Sequence, residues 1–426
     1  MFATGLLVRL FFVAYVHDQH GDSELYEAMA THLVGDGTFA LTDSSPTIVR
    51  PPGYPLFVAA VYSIAGRSPE YVLLVQAFLG ATTGVLLFAL LRRIVTQPLA
   101  GFAASLAAAS PELAYYASTI LTETLLTAAL LLFVYCAYVS NDIDSSDAAS
   151  FRLALHAGIV AGAAILITPR LVAAPLVGAA AFLVNDRPMR WKRAIACVTA
   201  AGLVVLPWSA RNYWTFGTFS PSVQTSARML WLAAKRAPAD DWRLDPLFRS
   251  DPLLVRYGLV LDDREHEQSR IGERLALERQ VTREAVGLIA KDPESYLRDR
   301  AKNYPRLWFD SQAHVVMFSG PLFFAHQHRS IVELAKSHRY FAAALRVLAK
   351  AVFFWAPAAL VALGLFVALP QWKRHLAPYL LMAWVGVSAA PLFIEHRFTV
   401  PLHPVMTIFA AIALKRLTSL RPITSA

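Results

Sequence analysis

Two acidic residues stand where acid–base chemistry at a membrane surface would need them. Asp22 lies in Gly21-Asp22-Ser23-Glu24-Leu25-Tyr26, just after the apolar run 2–16, and Glu123 follows Ser118-Thr119-Ile120-Leu121-Thr122 at the mouth of another apolar run. A carboxylate beside a membrane-spanning run is costly unless it faces water or a partner, which makes each a candidate for function. One could take the proton from an attacking hydroxyl while the other orients it. Each also has a plain structural reading. Asp is a common helix N-cap, and Glu123 would suit an ion pair with a distant Arg.

A second set of candidates is cationic. Arg50 opens Arg50-Pro51-Pro52-Gly53-Tyr54-Pro55, where each proline fixes its own φ and pushes the preceding residue out of the helical region, so Arg50 and Tyr54 are held in place. Arg170 follows Thr168-Pro169, Arg211 and Asn212 follow Pro207-Trp208, and Arg397 stands in Glu395-His396-Arg397-Phe398. Guanidiniums bind phosphate in a planar, bidentate manner and stay charged at any working pH. Several of them at the mouths of apolar runs point to a lipid-linked phosphate. Trp208 reads as an interfacial anchor. His314 with His326-Gln327-His328 has a loosely metal-like look, but without an Asp or Cys pattern these read as surface histidines. No metal site and no cofactor is expected, and the sequence holds no Walker loop, Gly-rich dinucleotide turn, HExxH or suitably placed GxSxG.

These residues need a membrane frame. Of 426 residues, 56% are apolar and only 16% charged, and the mean hydropathy is +0.45, whereas a soluble domain carries about 25% charged residues. The apolar residues fall into runs of about 15 to 25, long enough to cross a hydrocarbon core of ~30 Å. Spans are predicted at 2–16, 72–91, 99–110, 121–139, 153–168, 171–184, 194–208, 352–369, 376–394 and 398–414. The expected fold is an all-α, polytopic transmembrane helical bundle of about ten spans. Interfacial helices should lie in its first outer loop, 17–71, one beginning near Asp22 with Leu25, Met29 and Leu33 on its apolar face and one over 56–65, re-entrant or interfacial. The pairs Gly80/Gly84 and Gly158/Gly162 suit close helix packing. The run 2–16 lacks a basic leader and an A-x-A-like site, so it reads as a spanning helix and not as a signal peptide. Arg9 inside it calls for burial against neighbours or a start upstream of Met1. Cys136 and Cys197 read as buried small hydrophobes.

The formal charge of +9 does not indicate nucleic acid, because the cations cluster in every second connection. They are Arg92 and Arg93; Arg152; Arg187, Arg190, Lys192 and Arg193; Lys373 and Arg374; Lys415, Arg416 and Arg421. By the positive-inside rule these connections and both termini face the cytoplasm. Asp22, Glu123 and the other candidates then face outward. Three parts are expected: an N-terminal transmembrane catalytic module, 1–208; an extracytoplasmic helical region, 209–350, with amphipathic stretches at 263–289 and 294–309; and C-terminal transmembrane helices, 351–426.

The outer-face residues resemble a known family. Gly21-Asp22-Ser23-Glu24-Leu25-Tyr26 with Ala30, Leu33, Gly35, Gly37 and Phe39, then Arg50-Pro51-Pro52-Gly53-Tyr54-Pro55, resemble the first outer loop of GT-C-type integral-membrane glycosyltransferases. The likeness is to the branch holding protein O-mannosyltransferases and the lipid A aminoarabinose transferase. It continues in Thr122-Glu123, in Pro207-Trp208 through Arg211-Asn212, and in Arg397-Phe398 with Pro401 and Pro404, while Thr168-Pro169-Arg170 reverses the Arg-Pro order usual there. The resemblance implies an enzyme of a bacterial inner membrane that uses a polyprenyl-phosphate-sugar donor. The sugar would pass, usually with inversion, to a glycan, lipid or protein acceptor on the extracytoplasmic side. It also implies that Asp22 acts at the catalytic centre, that Glu123 is a second acidic position, and that Tyr26, Arg50, Tyr54, Arg170, Arg211, Asn212 and Arg397 are substrate-binding candidates. The leaving phosphate would need counter-charge more than a proton, and Arg50, Arg211 or Arg397 could supply it in place of a metal. With no large separate C-terminal domain in the sequence, acceptor binding is expected to fall to 209–350. The alternative is a polytopic transporter or flippase, but that class places its charges near the midplane and often shows two repeats. Neither feature is read here.

Overall fold

The computed structural model describes residues 1–15, 21–41, 45–142, 146–222, 226–236, 267–309 and 351–419, with 340, 344, 347 and 348 between them. His314, His326 and His328 lie outside the described residues, as does all of 237–266. In chain order the helices are α1 (Phe2–Tyr15), α2 (Gly21–Gly35), α3 (Gly53–Ala65), α4 (Pro69–Leu91), α5 (Gln97–Ala108), α6 (Pro111–Ala117), α7 (Glu123–Ser140) and α8 (Asp147–Ile167). Then come α9 (Ala174–Leu183), α10 (Arg190–Phe216), α11 (Ser226–Ala234), α12 (Glu267–Lys291), α13 (Pro293–Phe309), α14 (Ala356–Val367), α15 (Leu376–Ala389) and α16 (His403–Ser419). Among the described residues there is no strand, only an isolated bridge between Ala40 and Pro46. The molecule is an all-α membrane bundle.

Each predicted apolar run falls on a helix, but the helices differ in length. α4, α7, α8, α10 and the stretch Val400–Ser419 are long and apolar enough to cross a membrane. α5 has 12 residues, about 18 Å at 1.5 Å per residue, too short for a ~30 Å core. The connection between the runs 99–110 and 121–139 holds a further helix, α6, because the Ser110 hydroxyl accepts the Leu113 amide at 3.5 Å and Pro111 takes the first helical position, where a missing N–H costs nothing. The run ending at Trp208 is also longer than expected. α10 continues through Pro207 to Phe216 and stops at Gly217, whose φ of 70° suits glycine at a helix C-terminus. Arg211 and Asn212 therefore ride on a helix and not on a loop.

The glycine pairs sit at close approaches. A Cβ at Gly158 would strike the Cys197 backbone, and one at Gly162 the Ala201 backbone, so α8 and α10 touch main chain to main chain. Gly80 makes room for a side chain instead, that of Arg9. Arg9 is buried and donates to the carbonyls of Gly5 at 2.9 Å and Ala108 at 2.7 Å. Burial against α4 and α5 thus accounts for a cation inside α1.

The cation clusters gather at one end of the bundle. Arg93 pairs with Asp142 at 2.5 Å and its carbonyl accepts from Arg374, Lys415 donates to the Ile94 carbonyl, and Lys373 reaches Asp186 at 3.6 Å. Glu123 begins α7 at the opposite end from Ser140, some 25 Å away for a helix of this length. Beyond that end lie α11, α12 and α13, where Trp231, Leu232, Leu277, Val281 and Ala285 form a small core of their own with Phe393. α12 and α13 fall on the two amphipathic stretches.

Candidate active site

Asp22 is in the first turn of α2. Its carboxylate accepts hydrogen bonds from two guanidiniums that come from far along the chain. Arg50 reaches Oδ1 at 2.6 Å and Arg397 reaches Oδ2 at 3.2 Å. Arg397 also holds Glu395 at 2.5 Å through its Nε. Burial alone would raise the Asp22 carboxyl, but the charges of Arg50 and Arg397 outweigh it and hold it well below the ordinary carboxylate range. Asp22 is ionised at any working pH. The same burial, with Asp22 alongside, pushes the Tyr26 phenol up, so Tyr26 stays a neutral hydroxyl.

These residues wall a cavity of about 380 Å³. Of the nine sequence candidates, Asp22, Tyr26, Arg50, Glu123, Arg170 and Arg397 line it. Glu123 is buried at the start of α7 beside Thr122, whose hydroxyl lies 3.4 Å from the carboxylate. Arg170 sits in a short 3-10 turn, Pro169–Leu171, that the proline initiates ahead of α9. Its guanidinium lies over the Phe398 ring at 3.4 Å, and its carbonyl accepts from Trp384 at 2.6 Å. That guanidinium makes no hydrogen bond or ion pair among the described residues. It lines the cavity.

Tyr54, Arg211 and Asn212 do not line the cavity. Pro52 caps α3, which puts Tyr54 in the first turn of the helix and turns it inward. Its hydroxyl donates to Gln76 at 2.7 Å and its ring stands edge-on to Tyr26 at 4.8 Å, fully buried, so it supports the wall from behind. Arg211 donates to the Thr47 carbonyl at 2.9 Å and to Asn212 Oδ1 at 2.8 Å, and its guanidinium lies near Trp208 and Phe216. Asn212 donates to the Ser220 carbonyl at 2.7 Å. Both fasten loops to the end of α10. Trp208 packs edge-on to Phe39 at 4.8 Å and donates to the Pro221 carbonyl at 3.0 Å, so it has intramolecular partners.

The cavity also includes residues that sequence reasoning passed over: Arg228 from α11, and Trp384 and Ser388 from α15. None belongs to a motif. Arg228 stands in Ser226-Ala227-Arg228-Met229-Leu230-Trp231, where a lone cation in an otherwise apolar helix was the available signal. Four guanidiniums thus surround the space, against the carboxylates of Asp22 and Glu123 in the lining and Glu395 next to it. The balance favours an anionic ligand. Among the described residues no group of three or more His, Cys, Asp and Glu side chains is arranged to hold a metal ion.

Residues 49–214 match the family model described as dolichyl-phosphate-mannose-protein mannosyltransferase. The match takes in Arg50, Glu123 and Arg170 but stops short of Asp22, Tyr26 and Arg397. No curated protein matches the sequence. In fold, the chain is similar to the archaeal oligosaccharyltransferase AglB of Archaeoglobus fulgidus, solved with an inhibitory peptide and a dolichol-phosphate. Identity is 16%, coverage 98% of this chain and 50% of that one, and the TM-score 0.54. A second structure of the A. fulgidus oligosaccharyltransferase, with Zn and sulfate, matches at 13% identity over 98% and 49% of the two chains with a TM-score of 0.55. ArnT of Cupriavidus metallidurans bound to undecaprenyl phosphate matches at 17% identity over 98% and 77%, with a TM-score of 0.44. The chain spans about half the length of the oligosaccharyltransferase. The chain shares the fold of the part of the A. fulgidus oligosaccharyltransferase that it covers, and 49–214 match the mannosyltransferase family model.

Proposed function

We propose that the cavity is the active site of a glycosyltransferase that takes a sugar from a polyprenyl-phosphate-linked donor and passes it to an acceptor hydroxyl or similar group. One observation carries this reading. Asp22, Arg50 and Arg397 meet in a single cavity that the Arg170 guanidinium also lines, with no hydrogen bond to it among the described residues. The family match and the dolichol-phosphate in the AglB complex support an isoprenoid-phosphate donor. The working face is the one away from the cation clusters, which by their charge face the cytoplasm together with both termini. An inner membrane of a bacterium suits that arrangement.

The chemistry follows from the charges. An acceptor oxygen attacks the anomeric carbon, the bond from that carbon to the phosphate oxygen breaks, and the acceptor proton passes to Asp22. A single displacement of this kind inverts the anomeric centre. The departing polyprenyl phosphate is already a good anion, so it needs counter-charge, and preorganised Arg50, Arg170 and Arg397 supply it. Glu123 and the neutral Tyr26 hydroxyl orient the acceptor. With both guanidiniums on it Asp22 is a weak base. A bound phosphate competes for those same N–H groups, loosens their hold and raises the basicity of Asp22 once the donor is in place. Acceptor binding falls to the side built by α11 and α12, from which Arg228 and Met229 reach the lining.

The test is transfer of radiolabelled sugar from synthetic polyprenyl-phosphate donors by purified wild type and Asp22→Asn. Wild type should consume at least one such donor and the variant should lose activity by a factor of about 10² or more, in the range of general-base catalysis. Equal activity would remove Asp22 as the base. Solute movement into vesicles with no donor consumed would favour the transporter reading.

A further inference from the structure

Arg397 reaches Asp22 from the segment 390–399, which has little regular structure of its own. That segment is tied to the α11–α13 region at four points. The Tyr296 hydroxyl donates to the Pro391 carbonyl at 2.8 Å, Arg300 donates to the Leu392 carbonyl at 2.6 Å, and the Phe393 amide donates to the Met229 carbonyl at 2.9 Å. The Thr399 hydroxyl donates to the Leu307 carbonyl at 2.7 Å. Phe393 is buried in the α11–α12 core, and Ile394 is buried against Leu307 and Ala389. Glu395 and Arg397 follow at once, and Arg397 closes on Asp22.

Arg300 is the charged member of this set. It is 7% exposed on α13. Asp299 grips its second terminal nitrogen, and Asp299 is itself fixed by Asn303 at 3.0 Å. A buried guanidinium oriented by its own carboxylate and spent on a main-chain carbonyl is an expensive way to hold a loop, since a neutral donor would serve. The distance from that carbonyl to Arg397 is a short piece of chain, which leaves Arg397 little freedom once Leu392 is pinned.

We propose that Arg300 is a positioning residue that sets the place of Arg397 through the Leu392 carbonyl, so that the α11–α13 region builds the active site as well as flanking it. The inference rests on the transferase reading and adds to it. It makes the site sensitive to any acceptor that shifts α13, because the same strap carries the shift to Arg397 and Asp22.

A double-mutant cycle tests it in the full chain, with Arg300→Met, Arg397→Gln and the double variant, and affinity for undecaprenyl phosphate as the readout. Arg397→Gln should weaken binding about tenfold or more, as for a charge-paired group that loses its partner. Arg300→Met should weaken it by about 3- to 30-fold, and the double variant should fall within about twofold of Arg397→Gln alone, the signature of two residues acting as a unit. Arg300→Lys should restore most of the affinity. Amide exchange in 391–399 should rise in Arg300→Met while exchange in α7 stays unchanged. If Arg300→Met does not fold, Tyr296→Phe, which releases the Pro391 carbonyl, takes its place in the cycle. Wild-type affinity in Arg300→Met, or a double variant that loses the product of both effects, would overturn the proposal. If wild type itself fails to bind undecaprenyl phosphate, the donor reading falls, and amide exchange in 391–399 then decides the positioning role by itself.

Discussion

Replacing Arg50 by Gln should move the acid limb of the pH–rate profile without needing to abolish activity. In the native site the Asp22 carboxyl feels three influences: burial, which raises its pKa, and the Arg50 and Arg397 charges, which lower it further than burial raises it. Arg50 makes the shorter of the two contacts, 2.6 Å against 3.2 Å. An opposite charge at such range is worth about 1–3 pH units, or roughly 1.4–4 kcal/mol. With Arg50 gone, burial opposes a single cation, and Asp22 should titrate near or above the ordinary carboxylate value of ~4. The sign is fixed by the depressed native value: the wild-type base stays ionised down to strongly acidic pH, so kcat/KM should be flat from about pH 4.5 upward as far as Asp22 is concerned. In Arg50→Gln it should fall below about pH 5. The other groups around the cavity, Glu123, Glu395, Tyr26, Arg170, Arg228 and Arg397, are unchanged in the variant and serve as a common background. The assay is kcat/KM against pH with one synthetic polyprenyl-phosphate donor. Arg50→Gln is also expected to lower the plateau, through lost contact with the phosphate. A lowered plateau with the acid limb unmoved would refute the electrostatic role assigned to Arg50.

Three further outcomes are expected. Arg170→Gln should raise KM for the donor by about 10- to 100-fold, the worth of a hydrogen bond to a charged group. Its thermal midpoint should change little, because among the described residues the guanidinium makes no hydrogen bond or ion pair and rests on the Phe398 ring; a large fall in stability with KM unchanged would contradict this. Asn212→Ala should do the reverse, since it strands the Ser220 carbonyl at a cost of about 1–3 kcal/mol, measured as chemical-denaturant stability in detergent. Loss of donor affinity at unchanged stability would return Asn212 to the substrate. Gly158→Val should destabilise the bundle by about 1–3 kcal/mol or more, because its side chain must displace the Cys197 backbone; a native thermal midpoint would show that α8 and α10 are packed less closely than described.

The sequence carries the bundle more legibly than the site. Apolar runs locate the membrane helices because lipid forces every backbone group into internal hydrogen bonds, and the glycine pairs mark where α8 crosses α10 and where Arg9 is housed. The run 99–110 was harder. Ser110-Pro111 both ends one helix and starts the next, and nothing local says that α6 follows. Among the cations, Arg50, Arg170, Arg211 and Arg397 look alike in sequence, each within three residues of a proline or an aromatic residue at the mouth of an apolar run. What separates them is the partner. The Thr47 carbonyl takes Arg211, whereas the Arg170 guanidinium rests on the Phe398 ring and makes no hydrogen bond among the described residues, and both facts depend on residues far off in the chain. Tyr54 shares a stiff segment with Arg50, yet one helical turn is enough to aim it at Gln76 instead of the cavity. Arg228 could not be ranked at all, because its role depends on how α11 is seated by Phe393 and α12.

The most direct measurement is a structure of the protein with undecaprenyl phosphate bound at saturating concentration. The phosphate should lie in the 380 Å³ cavity with its oxygens about 3 Å from the guanidinium nitrogens of Arg50, Arg170 and Arg397 and the Asp22 carboxylate facing the open side. A phosphate seated elsewhere on the bundle, with Arg50 and Arg397 still closed on Asp22 and Arg170 untouched, would contradict the proposed site.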